Sequence, residues 1–170
     1  GLKITNEVTN LGGLFNGCTS LSSVDFSGCD TSNVTTMASM FQGCHALQTV
    51  DLSTLNASNV NDISNIFYSC NSLTKIILPN MAVGEPKNLY YAFRACPNLR
   101  TIQGRIENFN SHEEMFTDSP NIETITGGMD FSKDFSVKNL SGNTINTKLV
   151  NLTITGSYNI GADASVQIWQ

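Results

Sequence analysis

The apolar residues of this chain recur in one phrase that is repeated along its length. The phrase places Phe, a small residue, Cys and Leu at fixed offsets, and its copies are FNGCTSL, FQGCHAL, FYSCNSL, FRACPNL and FTDSPNI. The copies begin at Phe15, Phe41, Phe67, Phe93 and Phe116, with steps of 26 residues and a last step of 23. A fixed period of this length is typical of chains built from stacked repeats.

Helical spacing precedes each phrase. In the second copy the polar pair at 32–33 can cap a first helical turn, because these side chains bond exposed backbone N–H groups. The apolar residues that follow fall at i, i+3, i+6 and i+7, which is one face of a helix. They are Val34, Met37, Met40 and Phe41. The pattern therefore predicts one short helix in each repeat.

Strand spacing follows each phrase. The second copy continues as Leu-x-x-Val-x-Leu, and alternation at its last two apolar positions, Val50 and Leu52, predicts a strand. Later copies carry Gly104 and Gly127 at the last of these positions, and a sixth strand is predicted within 149–156. The strands should lie parallel, because the chain returns in the same direction in every repeat. Stacked units would then share one continuous core.

The five cysteines favour packing over cross-linking. Four of them occupy one position of the repeat, and Cys29 aligns with Leu55 and Met81 of the next two repeats. Free Cys behaves as a small apolar residue. We therefore predict five reduced and buried thiols, with a disulfide between neighbouring repeats as the alternative. No pair has the CxxC spacing of zinc or thioredoxin-like sites.

Composition narrows the choice of partners. The length of 170 residues favours one domain, or one domain with a tail. With 14% charged residues and a net charge of −5, the chain has no basic patch. Duplex nucleic acid and anionic membranes are therefore poor partners. No run of 18 apolar residues is present, so we expect no membrane insertion of this segment. The N-terminus, which begins at Gly1, shows no signal-peptide pattern.

The repeat resembles the BspA-type leucine-rich repeats of bacterial surface proteins. The residues that carry the resemblance are LFNGCTSLSSVDFSGCDTSNVTTMASMFQGCHALQTVDLS and NIFYSCNSLTKIILP, and the likeness is strong over 5–127 and weak over 128–155. It implies an α/β repeat protein of five to six units. In that fold a right-handed solenoid carries one parallel sheet on its concave face and short helices on its convex face. The resemblance also implies a secreted or cell-surface location and a binding role, without catalytic residues or a cofactor.

The C-terminal part departs from the repeat. Residues 128–148 are rich in Asn, Ser, Gly and Lys and lack the phrase, so we expect an irregular repeat or a long loop. Residues 149–170 end in an alternating apolar segment that includes Trp169, and we expect a last repeat or a C-terminal cap. An apolar end of this kind indicates truncation or cover by a partner, since terminal repeats normally carry a polar face. We treat 1–170 as one domain.

Catalytic chemistry finds little support in the sequence. His45 follows Cys44 directly, but neighbouring side chains in an extended turn should point apart, and a nucleophile must lie within hydrogen-bond reach of its base. His112 falls on the apolar face of a predicted helix, where a packed histidine is expected. We therefore expect no enzymatic activity.

A cation site is the alternative for two carboxylates. Asp25 and Asp51 occupy one strand position in adjacent repeats and should stand about 5 Å apart. With Ser23 and Thr49 beside them, they could hold Ca²⁺. We favour local hydrogen bonding of each carboxylate, because the next repeat replaces the Asp with Ile77.

The outward strand positions form the candidate binding face. Stacked repeats commonly use such extended surfaces to bind partners. The face comprises Ser23, Asp25, Thr49, Asp51, Lys75, Ile77, Thr101, Gln103, Thr124 and Thr126, and Asn151 and Thr153 would extend it. The expected partner is a protein or glycan on a host or neighbouring cell. The alternative is a structural spacer or stalk with no ligand of its own.

Overall fold

The computed structural model describes residues 2–81, 87–105, 109–111, 114–127 and 153–155. Through these residues the chain winds as a stack of coils, each about one sequence repeat long. We number the coils as the first (2–30), second (31–56), third (57–81), fourth (87–105) and fifth (109–127).

Short strands mark where the coils pair. In the described residues they are β1 (Thr49–Asp51), β2 (Lys75–Ile77), β3 (Lys87–Asn88), β4 (Thr101–Gln103), β5 (Phe109–Ser111), β6 (Thr124–Thr126) and β7 (Thr153–Thr155). Five of them form a sheet in the order β1-β2-β4-β6-β7, and every neighbouring pair is parallel. Parallel neighbours need a long connection, and here the remainder of each coil supplies it.

The register of the main sheet follows the sequence period. Val50, Ile76, Ile102 and Ile125 pair in a row at the centre of the strands, and each is buried. Their flanking residues are exposed or half-buried. The strands therefore turn one apolar side chain into the core and two side chains out of it.

A second parallel ladder crosses the same coils. It consists of the β3–β5 pair and of isolated bridges that link Asn10 to Thr36, Thr36 to Asp62, and Asp62 to Asn88. The polar side chains of this row bond the backbone N–H two residues ahead, as Asp62 Oδ1 does with Ser64 N at 2.9 Å. Asx-type turns of this kind compete with helix formation.

The predicted helices are not formed. The described residues contain no helix, so the predicted α/β solenoid with helices on its convex face is wrong. Across 37–43 the backbone N–H groups alternate between two kinds of acceptor, except that of Ala38, which donates to Thr36 Oγ1. Met37, Ser39, Phe41 and Gly43 donate to carbonyls of the third coil, whereas Met40 and Gln42 donate to the carbonyl three residues back. An α-helix would require every donor to reach the carbonyl four residues back.

Two columns of left-handed residues explain this alternation. The first column is Gly13, Ser39, Asn65, Tyr91 and Glu114, with φ between 53° and 67°. The second column is Gly17, Gly43, Ser69, Ala95 and Asp118, with φ between 55° and 72°. A left-handed residue ends a right-handed helix. The repeated turns still place apolar residues that are three positions apart on the same, buried side of the coil. A helix produces the same spacing, and for this reason the sequence predicted a helix.

The core is a set of rows that run through the stack. The row of phrase phenylalanines is continuous, with ring centroids 5.4 Å apart for Phe15–Phe41 and Phe41–Phe67, 6.1 Å for Phe67–Phe93 and 5.6 Å for Phe93–Phe116. The rings of Phe41, Phe67 and Phe93 are fully buried. Burial of an aromatic side chain on both of its faces makes this row a major source of stability.

Glycine is required where the later coils approach most closely. Gly104 has φ 131°, and a Cβ there would lie 2.7 Å from Leu78 Cβ. Gly127 has φ 101°, and a Cβ there would lie 2.5 Å from the Gly104 carbonyl oxygen. The later coils therefore have glycine in place of an apolar residue at this repeat position, because the positive φ and the close backbone approach leave no room for a side chain.

Much of the C-terminal part lies outside the described residues. The irregular segment predicted over 128–148 and most of the last repeat or cap predicted over 149–170 belong to it. β7 overlaps the sixth predicted strand and pairs with β6 in register, Ile125 opposite Ile154.

Candidate binding surface

The main sheet brings eight of the ten predicted face residues into two columns. Parallel pairing aligns Thr49, Lys75, Thr101 and Thr124 in one column and Asp51, Ile77, Gln103 and Thr126 in the other. Thr49 and Asp51 are exposed, and the other six are half-buried. The columns carry hydroxyl, amide, ammonium and carboxylate groups around one large apolar side chain, Ile77. Such a surface can donate and accept hydrogen bonds over its whole length.

The first coil does not extend these columns. Ser23 and Asp25 are exposed, but they belong to no described strand and β1 is the last strand of the sheet on this side. Asn151 lies outside the described residues, and of Thr153 the structure gives only the backbone pairing. The array that the structure supports is therefore the eight residues of the two columns.

The two aspartates bind their own turns. Asp25 accepts hydrogen bonds from Ser27 N and Ser27 Oγ, both at 2.8 Å, and Asp51 accepts one from Ser53 N at 2.8 Å. Hydrogen bonds from these serines hold the pKa of both carboxyl groups below the usual value. No cluster of three or more metal-ligating side chains occurs among the described residues. The geometry supports the local hydrogen bonding that we favoured over a calcium site.

The repeat cysteines link one coil to the next. Cys44, Cys70 and Cys96 each donate from Sγ to the carbonyl of the phrase phenylalanine in the preceding coil, at 3.2, 3.0 and 3.0 Å. In the fifth copy of the phrase Ser119 replaces the cysteine, and its hydroxyl donates to Phe93 O at 2.6 Å. The repeat position thus requires a small side chain that donates a hydrogen bond.

Burial keeps these thiols protonated. It raises the pKa of Cys44 to about 11 and that of Cys96 to about 12, and it also raises the pKa of Cys70. All five cysteines are free. The prediction that all five are buried is wrong for two of them, because Cys18 is exposed and Cys29 is half-buried.

Cys44 and His45 do not form a catalytic pair. The Cys44 thiol is directed to Phe15 O, whereas His45 Nδ1 lies 3.0 Å from Ser69 O of the third coil. A high thiol pKa also opposes formation of the nucleophilic thiolate. His112 lies outside the described residues.

A cluster of tyrosines forms a second surface that we did not predict. The rings of Tyr90 and Tyr91 stack with centroids 3.8 Å apart, and Tyr68 stacks beside Tyr91 at 6.3 Å. The guanidinium carbon of Arg94 lies 4.3 Å from the centre of the Tyr91 ring. We call Tyr68, Tyr90, Tyr91 and Arg94 the tyrosine cluster. The signal in the sequence was the pair Tyr90–Tyr91, at positions where other copies of the repeat have small or polar residues.

A family model with the description "Mycoplasma protein of unknown function, DUF285" matches residues 4–109. This is more than half of the chain. The chain belongs to this family. The DUF285 match covers the first four phrase copies and ends in β5, so the family pattern corresponds to the regular coils. Comparisons with curated proteins and with solved structures gave no match.

Membrane crossing by a helix finds no support in the part of the chain that the structure describes. None of those residues forms a helix of the length and apolarity that a membrane span needs.

Proposed function

We propose that this chain is a non-catalytic interaction module, located at the cell surface or secreted, that binds a protein or glycan through the outer face of its main sheet. The location and the binding role rest on the resemblance to BspA-type repeats of surface proteins. The residues that would contact the partner are those of the two columns, in which Lys75 is the one cationic side chain and Ile77 the one large apolar side chain.

The observation that carries this proposal is the register of the two columns. Strands in a sheet lie about 4.8 Å apart, so each column presents a side chain at that interval. The two outward side chains of one strand differ in chemistry, as those of Lys75 and Ile77 do. Both are half-buried, and the contacts at their base hold them in place. Ordered contact groups reduce the entropy that binding costs.

A spacer without a ligand is the second candidate. Its support is the continuity of the rows that tie the coils together. Besides the phenylalanine row, asparagine side chains donate from one coil to the backbone of the preceding coil, as Asn33 does to Asn6 O at 2.8 Å and Asn59 does to Ser32 O at 2.6 Å. Links of this kind in every coil would stiffen the stack, and stiffness is what a stalk requires.

A binding screen tests the choice between these functions. The purified chain is applied to a panel of extracellular-matrix proteins and an array of mammalian glycans. For any ligand found, we expect Lys75→Glu and Ile77→Thr each to weaken binding at least about fivefold, because they remove the one cationic and the one large apolar side chain of the face. Threonine is chosen at Ile77 because the same columns already carry it in three other strands.

The control for this experiment is Leu14→Thr. Leu14 is an exposed apolar residue outside the sheet, so its substitution should leave binding unchanged. Binding that survives both face substitutions would refute the sheet face as the site. The absence of any ligand in the panel would favour the spacer.

A further inference from the structure

The tyrosine cluster is a rigid aromatic platform on residues that the sheet face does not use. Tyr91 has two close neighbours, because the Tyr90 ring is stacked on it with centroids 3.8 Å apart and the guanidinium carbon of Arg94 lies 4.3 Å from the centre of its ring. Tyr91 itself has φ 58°, in the column of left-handed residues. A bulky residue keeps such a backbone conformation only where its surroundings hold it. The backbone beneath the rings is therefore held by the fold before any partner arrives.

The outermost ring is available to a partner. Tyr90 is 38% exposed and is one of two large apolar side chains that the described residues expose, the other being Leu14 at 41%. The backbone N–H of Tyr90 donates a hydrogen bond to Asn88 Oδ1 at 3.1 Å, so the backbone beneath the ring is anchored to β3. An aromatic ring that is anchored and still exposed offers a large contact area at a low entropic cost.

Two carboxylates lie beside Arg94 of the platform. Arg94 forms an ion pair with Glu114, and its Nε lies 3.8 Å from Asp118 Oδ2. The side chains of Glu114 and Asp118 are 47% and 57% exposed, whereas that of Arg94 is 24% exposed. The described charged groups at the platform therefore present two accessible carboxylates and one largely covered guanidinium. The pKa of the Tyr90 phenol is raised, first by a hydrogen bond with Tyr91 and in smaller part by the charge of Glu114.

This chemistry discriminates between classes of partner. A nucleic acid could stack bases on Tyr90, but its phosphates would meet two carboxylates on a chain of net charge −5. An apolar protein surface would remove water from both carboxylates and offer them no further hydrogen bond, which is costly. A cationic side chain gains from both features, because it is attracted to the face of the ring and to the carboxylates beside it.

We infer that the tyrosine cluster, together with Glu114 and Asp118, is a docking site for a basic protein segment that places a lysine or arginine side chain on the outer face of Tyr90. The second ring beneath Tyr90 holds it in position, and Arg94 orients the carboxylates. This inference is independent of the sheet face, since the two sites share no residue.

The experiment measures binding of a fluorescent hexa-arginine peptide to the whole chain by anisotropy at low salt. We expect saturable binding that Tyr90→Ala weakens roughly three- to thirtyfold, since a cation–π contact contributes on this scale. Tyr90→Phe should retain most of the binding because it keeps the ring. Glu114→Gln should weaken binding several-fold and reduce its dependence on salt.

Two control variants match these substitutions. Leu14→Ala removes the other exposed apolar side chain, and Glu123→Gln removes a different carboxylate that is paired with an arginine, Arg100. Both should bind hexa-arginine as the unchanged chain does. Because Glu114→Gln leaves the tyrosines in place, it tests the site even if Tyr90→Ala fails to fold.

Three outcomes would overturn the inference. The first is no binding of hexa-arginine, and the second is equal loss of binding in Glu123→Gln and Glu114→Gln, which would indicate a nonspecific charge effect. The third is binding of a neutral oligosaccharide, maltohexaose, that Tyr90→Ala abolishes while the same substitution leaves hexa-arginine binding unchanged. Ligand binding that survives Lys75→Glu and Ile77→Thr, together with hexa-arginine binding that depends on Tyr90 and Glu114, would refute the proposed function and leave this site standing.

Discussion

The first and second coils contain nearly the same phrase, yet they bury it differently. Phe41 and Cys44 of the second coil are fully buried, whereas Phe15 is half-buried and Cys18 is exposed. The second coil contacts both the first and the third coil, whereas the described residues place only the second coil against the first. The phrase therefore specifies a pair of contact surfaces, and burial is completed only when a further coil covers each of them.

The largest expected difference between the coils concerns the phenylalanine row. Phe41→Ala should lower the free energy of unfolding by about 3–5 kcal/mol, as truncation of a buried aromatic ring does. Phe15→Ala should lower it by about 1–2 kcal/mol, because this ring already faces solvent in part. Urea denaturation of both variants measures the difference. Equal losses would show that the first coil is as tightly packed as the second.

Thiol accessibility should separate the coils next most clearly. The denatured chain should titrate five thiols without a reductant, since all five cysteines are free. In the folded chain Cys18 should react with a maleimide at least about a hundredfold faster than Cys44, a ratio equivalent to about 2.8 kcal/mol. Mass spectrometry after timed labelling identifies the modified residue. Three or fewer thiols in the denatured chain would mean that a disulfide forms.

The hydrogen bond of the repeat cysteine should show a smaller effect. Cys70→Ala should cost about 0.5–1.5 kcal/mol, because it removes the thiol donor from the buried Phe41 carbonyl, which keeps its hydrogen bond from Cys44 N. Cys70→Ser should cost less, since Ser119 makes the equivalent bond in the fifth coil. Cys18→Ala should be close to neutral. If Cys70→Ser is no more stable than Cys70→Ala under denaturation, the thiol contributes through packing and its hydrogen bond is unimportant.

The smallest effect should come from the exposed carboxylates. The pKa of Asp25 and Asp51 is lowered in the folded chain, so their contribution is present above the ordinary carboxyl pKa and is lost as the pH falls through the lowered value. Replacement of Asp51 with Asn should slightly flatten the fall in stability below about pH 4. The same variant should be indifferent to calcium. If calcium alters the stability of the unsubstituted chain and Asp51→Asn abolishes that effect, a calcium site at Asp51 would be supported after all.

The candidate binding face was predictable because a strand alternates its side chains with a period of two. That rule assigned Val50 and Ile76 to the core and Thr49 and Lys75 to the surface, and the structure has them there. The same rule could not show that the pairing stops at β1, which leaves Ser23 and Asp25 outside the sheet. Pairing depends on the backbone path of a neighbouring coil, and one repeat read alone does not contain that path.

The tyrosine cluster was beyond sequence reasoning for a related reason. Tyr68 and Tyr91 come from different coils and from different positions of the repeat, so the period does not align them. Only the stacking of the third coil on the fourth places their rings 6.3 Å apart. Glu114 reaches the cluster from the fifth coil through its ion pair with Arg94.

By itself the sequence determined the length of the repeat, the apolar residues of the core and the parallel direction of the strands, because all three follow from a regular spacing of similar side chains. Only the tertiary structure decided the backbone between the strands. There the N–H groups of Met37, Ser39 and Phe41 find acceptors in the next coil, and Ser39 takes a left-handed conformation that a helix would forbid. Gly13 and Gly17, four residues apart, were the local sign of that conformation. The spacing of apolar residues fits a helix or a series of turns equally well, and the hydrogen bonds to a neighbouring coil decide between them.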